Sequence, residues 1–268
     1  MTTGALIFAF NNESTDYVAM AEWSARNIRR WLNIPTAIVT DVDARDPRLS
    51  GFDQVIPATA SAGGTRWFED YQATVTWHNA GRTDAYTLSP WDQTLVLDAD
   101  YVVASDQLKI LLDSRQEFLA HASAYDITGT NNFAGLNDYG EYRMPMSWAT
   151  VMMFRRSTHA ELIFHCMQMI KNNWRHYKDL YQIASSTYRN DHALSIALNI
   201  VNGQTLQHTS IPWSLASVTP EHVLTRTAKD CYRIDYVDQE KRPRWTILRN
   251  QDFHAMGKQH LEKLIEAH

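Results

Sequence analysis

Between Thr94 and Ala104 the chain reads TLVLDADYVVA, an apolar and β-branched run of strand type with two aspartates set two residues apart inside it. Burying two like charges that close together is costly unless a cation or hydrogen-bond donors compensate them. Any fold that contains this strand must therefore bring compensating groups to Asp98 and Asp100. Carboxylate oxygens suit a hard divalent ion such as Mg²⁺ or Mn²⁺, and a bound diphosphate can complete the shell. A second triplet, Asp41-Val42-Asp43, runs into the charged loop Ala44–Arg48, where carboxylates stay solvated and carry no such demand.

The flanking pattern predicts an α/β fold. GALIFAF at 4–10 is a short apolar run ending in Asn11, Asn12 and Glu13, after which Tyr17, Met20, Ala21, Ala25, Ile28 and Leu32 recur with helical spacing. TAIVT at 36–40 and FDQVI at 52–56 read as further strands, the second before the loop ATASAGGT. Helix is predicted over 67–86, 106–119, 159–174 and 189–203, and strand over 144–154 and 244–250. The last third is read as a polar loop region with that one strand and a closing helix after Gly257. Strands alternating with helices predict a mostly parallel central sheet flanked by helices. With no repeat and no Gly/Ser linker, 1–268 is read as a single domain. Ligands of such sheets sit beyond the carboxyl ends of the strands, which makes Asn11, Asn12, Asp41 and Asp43 binding candidates. Turn and cap chemistry is their alternative role.

Composition excludes several classes. The chain has 268 residues, 44% hydrophobic and 21% charged, with 10 Gly and 8 Pro, an ordinary globular make-up. No apolar run reaches the roughly 18 residues that span a bilayer, and the start lacks the basic region of a signal peptide, so a cytoplasmic protein without a membrane partner is expected. Cys166 and Cys231 are too few for a disulfide framework and read as buried fillers. Residues 1–150 carry 10 Lys/Arg against 19 Asp/Glu, and residues 151–268 carry 15 against 11, which makes the halves −9 and +4. An acidic first half suits metal chemistry, while a basic second half could meet phosphate; a solvated surface with accidental bias is the alternative.

SPWDQTLVLDADYVV resembles the Asp-x-Asp strand of GT-A glycosyltransferases, the Rossmann-like nucleotide-diphospho-sugar transferase fold, and especially its retaining, glycogenin-like members. The resemblance implies that Asp98 and Asp100 hold Mn²⁺ or Mg²⁺ against the diphosphate of a UDP-sugar or similar donor, with Asp98 also near the donor sugar or ribose. Arg82, sixteen residues before Asp98, matches a helix position that sends a basic residue toward the donor. RNDHALSIALNIV resembles the segment that begins a helix beside the reacting sugar, which makes Asp191 the matching carboxylate. His254-Ala255-Met256-Gly257-Lys258 resembles the His-x-x-Gly-x-x-Lys element, with His254 as third metal ligand and Gly257 and Lys258 at the diphosphate. Here Lys258 follows Gly257 directly, whereas the family places the Lys three residues later. The implied layout has a nucleotide-sugar half at 1–104 and an acceptor half at 105–268 that ends in a donor-closing segment. The Ser-Pro-aromatic-Asp-x-Thr stretch before the triplet is also similar to glycosyltransferase-like proteins of tailed bacteriophages, which would place the chain in a host cytoplasm.

Bland alternatives stand beside these roles: a helix cap for Asp191, a surface histidine for His254, and buried packing for Trp67, Trp91, Trp148 and Trp213, which could instead stack on sugar or base. LVLDADYVV also fits the first motif of haloacid-dehalogenase-like phosphohydrolases. That family needs the motif near the amino terminus and a later acidic pair, and neither is present. A non-catalytic nucleotide-sugar binding module is a third reading. For the acceptor, the +4 half and the phage-like flank make DNA carrying 5-hydroxymethylcytosine the leading expectation, with Lys241, Arg242 and Arg244 as phosphate contacts. A polysaccharide, lipid-linked or protein acceptor is the alternative.

Overall fold

The computed structural model describes residues 1–59, 64–68, 73–184, 187–203, 205 and 209–267. The chain opens with β1 (Thr3–Phe8), whose residues from Gly4 onward are buried. Gly4 is required there, because a Cβ at this position would overlap the indole of Trp91. Helix α1 (Tyr17–Leu32) starts where Asp16 accepts the Ala19 amide and ends at Asn33 in the left-handed region with φ of 56°. Met20, Ala21, Ala25, Ile28 and Leu32 form its buried face, as the spacing predicts. β2 (Thr36–Thr40) and β3 (Gln54–Pro57) follow.

The next segment departs from the helical expectation over 67–86. β4 (Gly64–Phe68) and β5 (Ala73–Trp77) pair antiparallel, and helix is confined to a 3₁₀ turn at Ala80–Asp84 and α2 (Ala85–Leu88). ATVTW is β-branched and alternating, a pattern that a pairing partner converts into strand. Residues 60–63 of the loop ATASAGGT (58–65) and the side chain of Trp67 lie outside the described residues.

β6 (Gln93–Asp98) carries the first aspartate as its last residue, and β7 (Tyr101–Val102) resumes after a two-residue turn. Only α3 (Lys109–Asp113) is α-helical in the segment read as helix over 106–119. Ser114 stops it, and Phe118 begins β8 (Phe118–His121), which runs along β12. β9 (Ala124–Asp126), β10 (Asp138–Tyr139) and β11 (Met144–Pro145) precede β12 (Trp148–Arg155). α4 (Thr158–Asn172), α5 (Trp174–Leu180) and α6 (Asn190–Val201) come next. β13 (Leu215–Val218) leads into β14 (Val223–Ala228), β15 (Cys231–Val237) and β16 (Pro243–Arg249), a three-stranded antiparallel sheet in the region read as mostly loop. Its alternation is weak because much of this sheet is exposed. β17 (Phe253–Ala255) and α7 (Lys258–Glu266) close the chain.

The central sheet has the order β3-β2-β1-β6-β12-β8. The first four strands are parallel, and β12 runs antiparallel to both β6 and β8. A second sheet has the order β7-β17-β13-β9. The architecture is the expected mixed α/β domain with a mostly parallel central sheet and flanking helices. Both cysteines are free, Cys166 buried and Cys231 half-buried. Among the described residues no helix is long and apolar enough to cross a membrane.

The Gly4–Trp91 contact generates a test. Gly4→Ala should cost about 1–3 kcal/mol through overpacking, read by chemical denaturation, and the cost should shrink in a Trp91→Leu background.

Candidate functional site

Strand register assembles the site. β1 and β6 run parallel and end together, with Phe8 opposite Asp98, so the turn Ala99-Asp100 opens beyond the carboxyl edge of the sheet. β12 runs the other way and starts at that edge, which places Trp148 and Thr150 in the same cavity as Asp98 and Asp100. β17 pairs antiparallel with β7 so that His254 faces Tyr101, and the Ala255 amide donates to the Asp100 carbonyl at 3.0 Å. A residue 154 positions away is thereby fastened beside the triplet.

One oxygen or nitrogen from each of Asp98, Asp100 and His254 lies within 4.8 Å of the others. The His254 Nε2 is 3.2 Å from Asp100 Oδ2, and its Nδ1 is buried with no partner among the described residues. Lys258, the first residue of α7, donates its ammonium to the same Asp100 oxygen. Arg82 is 2% exposed and bonds Asp98 through Nη1, while its Nε and Nη2 are buried without a partner among the described residues. Burial raises the Asp98 pKa, with Arg82 pulling it down and Asp100 pushing it up. For Asp100 burial also opposes ionisation, but Lys258 and His254 outweigh it and hold this carboxyl well below the usual range. Two carboxylates and one imidazole form a donor set that fits Mn²⁺ or Mg²⁺.

Asp191 lines the same cavity, in the first turn of α6. Arg189, not Asp191, occupies the cap position of that helix. The Asp191 Oδ1 accepts the Ala149 amide of β12 at 2.9 Å, and Oδ2 accepts from Arg189 at 2.8 Å. The cavity has a volume of about 320 Å³.

Eight of the residues named as candidates from sequence thus meet around one space: Asn12, Arg82, Asp98, Asp100, Trp148, Asp191, His254 and Lys258. Gly257 is the residue before α7 and packs against Pro220, and it does not line the cavity. Asn11 spends its side-chain oxygen on the Val18 amide at the start of α1, and the neighbouring Asn12 is the one that faces the cavity. Asp41 and Asp43 are exposed and do not line it. Of the tryptophans, Trp91 is buried against Gly4, Trp148 lines this cavity, and Trp213 lines another. Sequence reasoning missed Tyr17, Asn79, Thr150 and Asn190 as lining residues. Tyr17 was legible only as a helix-face residue, and Asn190, 5% exposed with its amide on the Asn79 carbonyl, only as a helix start.

No protein-family model matches the chain, and no curated protein matches it. Solved structures similar to it include the glycosyltransferase GlyE of Streptococcus pneumoniae TIGR4, at 15% identity over 79% of this chain and 46% of that one, with a TM-score of 0.44. The galactosyltransferase LgtC in complex with donor and acceptor sugar analogues is similar at 13% identity over 71% of this chain and 69% of that one, TM-score 0.47. Mouse xyloside xylosyltransferase 1 is similar at 10% identity over 79% and 84%, TM-score 0.45. The chain spans less than half the length of GlyE.

Because Lys258 is 8% exposed and rests on Asp100, Asp100→Asn should strand a buried ammonium and cost about 3 kcal/mol. Adding Lys258→Met should recover much of that loss. A double-mutant cycle measured by urea denaturation without divalent metal checks it, and strict additivity would refute the coupling.

Proposed function

We propose that the chain is a metal-dependent glycosyltransferase that moves a sugar from a nucleoside-diphosphate donor, a UDP-sugar in the first instance, to an acceptor hydroxyl with retention at the anomeric carbon. The observation that carries this reading is the charge balance of the Asp98–Asp100–His254 cluster. Asp98 and Asp100 are offset by Arg82 and Lys258, and Asp191 by Arg189, so the site is formally neutral without metal. Adding a divalent cation leaves an excess of two positive charges, which a diphosphate matches. The Asp-x-Asp resemblance supports the same reading.

Asp98, Asp100 and His254 would hold the cation, which supplies electrostatic stabilisation to a leaving group that gains negative charge. The protein's own residues do the rest. Arg82 has two donor nitrogens, Nε and Nη2, without a partner among the described residues and fixes Asp98. Lys258 adds a positive charge beside Asp100 that can turn to phosphate oxygens. Transfer breaks the bond from the anomeric carbon to the diphosphate oxygen and forms one to the acceptor oxygen, whose proton passes to the departing diphosphate. Asp191, held by the Ala149 amide and Arg189, has a fixed carboxylate suited to stabilising positive charge on the sugar ring rather than to swinging in as a mobile base. In this reading residues 1–104 bind the donor, and 105–268 bind the acceptor and supply the closing segment around Gly257.

Hydroxymethylcytosine in DNA is the acceptor that the charge of the second half suggests. A carbohydrate hydroxyl is favoured by a specific observation: Arg242 and Arg244 both bond Asp238, and Arg233 bonds Asp235. These guanidiniums are already matched by carboxylates of their own sheet, which leaves less charge for phosphates.

Incubating the chain with a panel of UDP- and GDP-sugars, against hydroxymethylated DNA and against oligosaccharides, tests both levels by mass spectrometry. EDTA should abolish transfer and donor hydrolysis, Mn²⁺ or Mg²⁺ should restore them, and Asp98→Asn should reduce the rate by roughly 100-fold or more. Full activity in a metal-free preparation would overturn the metal assignment, and an inverted anomer by NMR would overturn retention.

A further inference from the structure

A second cavity, about 320 Å³ in volume, borders the sheet formed by β7, β17, β13 and β9 and shares no lining residue with the first. Its wall includes Tyr101, His121, Tyr125, Trp213, Gln251 and Asp252. Two of these residues carry unmatched polar atoms. The His121 side chain is fully buried, and its Nδ1 lies 3.0 Å from the Trp213 carbonyl. A carbonyl only accepts, so Nδ1 bears the proton and Nε2 is left as an acceptor. That Nε2 is buried with no partner among the described residues. Asp252 is 5% exposed, and its Oδ1 accepts the Ala104 amide at 2.7 Å and the Ser105 hydroxyl at 2.9 Å. Its Oδ2 is buried with no partner among the described residues.

Two residues that line one cavity thus each carry a stranded acceptor, which is unfavourable unless something donates to it. The aromatic rings of the same wall limit what that something is. Trp213 meets His121 edge-on at 6.4 Å, and Tyr125, 41% exposed at the surface, accepts the Gln251 amide at 3.1 Å. A metal ion does not suit the place, since the only cluster of three or more ligating side chains among the described residues is Asp98, Asp100 and His254. A neutral ring that bears several hydroxyls suits it well: O–H groups donate to the imidazole and the carboxylate while C–H faces lie on the aromatics.

We propose that this cavity binds a saccharide unit, at a place separate from the Asp98–Asp100–His254 cluster. His121 Nε2 and Asp252 Oδ2 receive its hydroxyls, and Tyr125 and Trp213 form the apolar wall. The proposal does not depend on the chain being a transferase, because it stands on acceptors and rings that the first cavity does not use.

Saturation-transfer NMR on the whole chain, without metal or nucleotide, tests it with methyl α-glucoside, methyl β-galactoside, N-acetylglucosamine and maltotriose as probes. At least one should bind with a millimolar dissociation constant. Tyr125→Ala, a surface change that leaves the core intact, should weaken that binding about tenfold, and Asp252→Asn by a similar factor. Binding should persist in Asp98→Asn and in the presence of UDP with Mn²⁺. The proposal is overturned if no probe binds, if binding is unchanged in both cavity variants, or if UDP with Mn²⁺ displaces the sugar. It also fails if uridine alone competes at this site. Saccharide binding that survives in a chain without metal-dependent transfer would sink the transferase reading and leave this one standing.

Discussion

The pair of carboxylates at Asp98 and Asp100 is the constraint around which the rest of the molecule is arranged. Both sit where apolar strand gives way to turn, and neither can be buried as a bare charge. Arg82 reaches Asp98 from the 3₁₀ turn before α2, and Lys258 reaches Asp100 from the first turn of α7. His254 closes the group from β17. Three segments far apart in the chain are thus drawn to one point by the cost of two negative charges in a poorly hydrated place.

Sheet geometry makes this convergence possible. Parallel β1 and β6 end at the same edge, and antiparallel β12 begins there, so strand ends and a strand start share one rim. The start of α6 packs onto β12 by way of the bond from the Ala149 amide to Asp191, which sets that carboxylate on the lining of the same cavity. An open, wholly parallel sheet would offer only strand ends at this rim, and Trp148 and Thr150 would not reach the cavity.

The short pairing of β7 with β17 serves two places at once. It carries His254 to Asp100 on the first cavity, while Tyr101 of β7 and Asp252, just before β17, line the second. Ligands in the two cavities would therefore load neighbouring residues of one strand pair.

Much of this was legible in the chain itself. Two acids inside LVLDADYVV demand compensation wherever the strand lies, and the spacing in α1 specifies a buried face that the structure shows. Residue pattern alone could not decide which positive groups answer the demand, although the family resemblance points to Arg82, His254 and Lys258 for the same site. Lys258 is 158 residues from Asp100, and only the antiparallel register of β17 brings it there. Local pattern failed where tertiary pairing overrode it: 73–77 found a strand partner in 64–68, and 118–121 was taken up alongside β12. Asn11 and Asp41 follow strands as ligand-binding residues do, yet the first was spent on a helix start and the second left in solvent, since position after a strand does not determine which way a side chain turns. The sequence by itself determined that a charged pair must be buried and balanced. Only the fold decided that Arg82, Lys258 and His254 balance it, because long-range strand register is a property of the whole sheet and not of any segment in it.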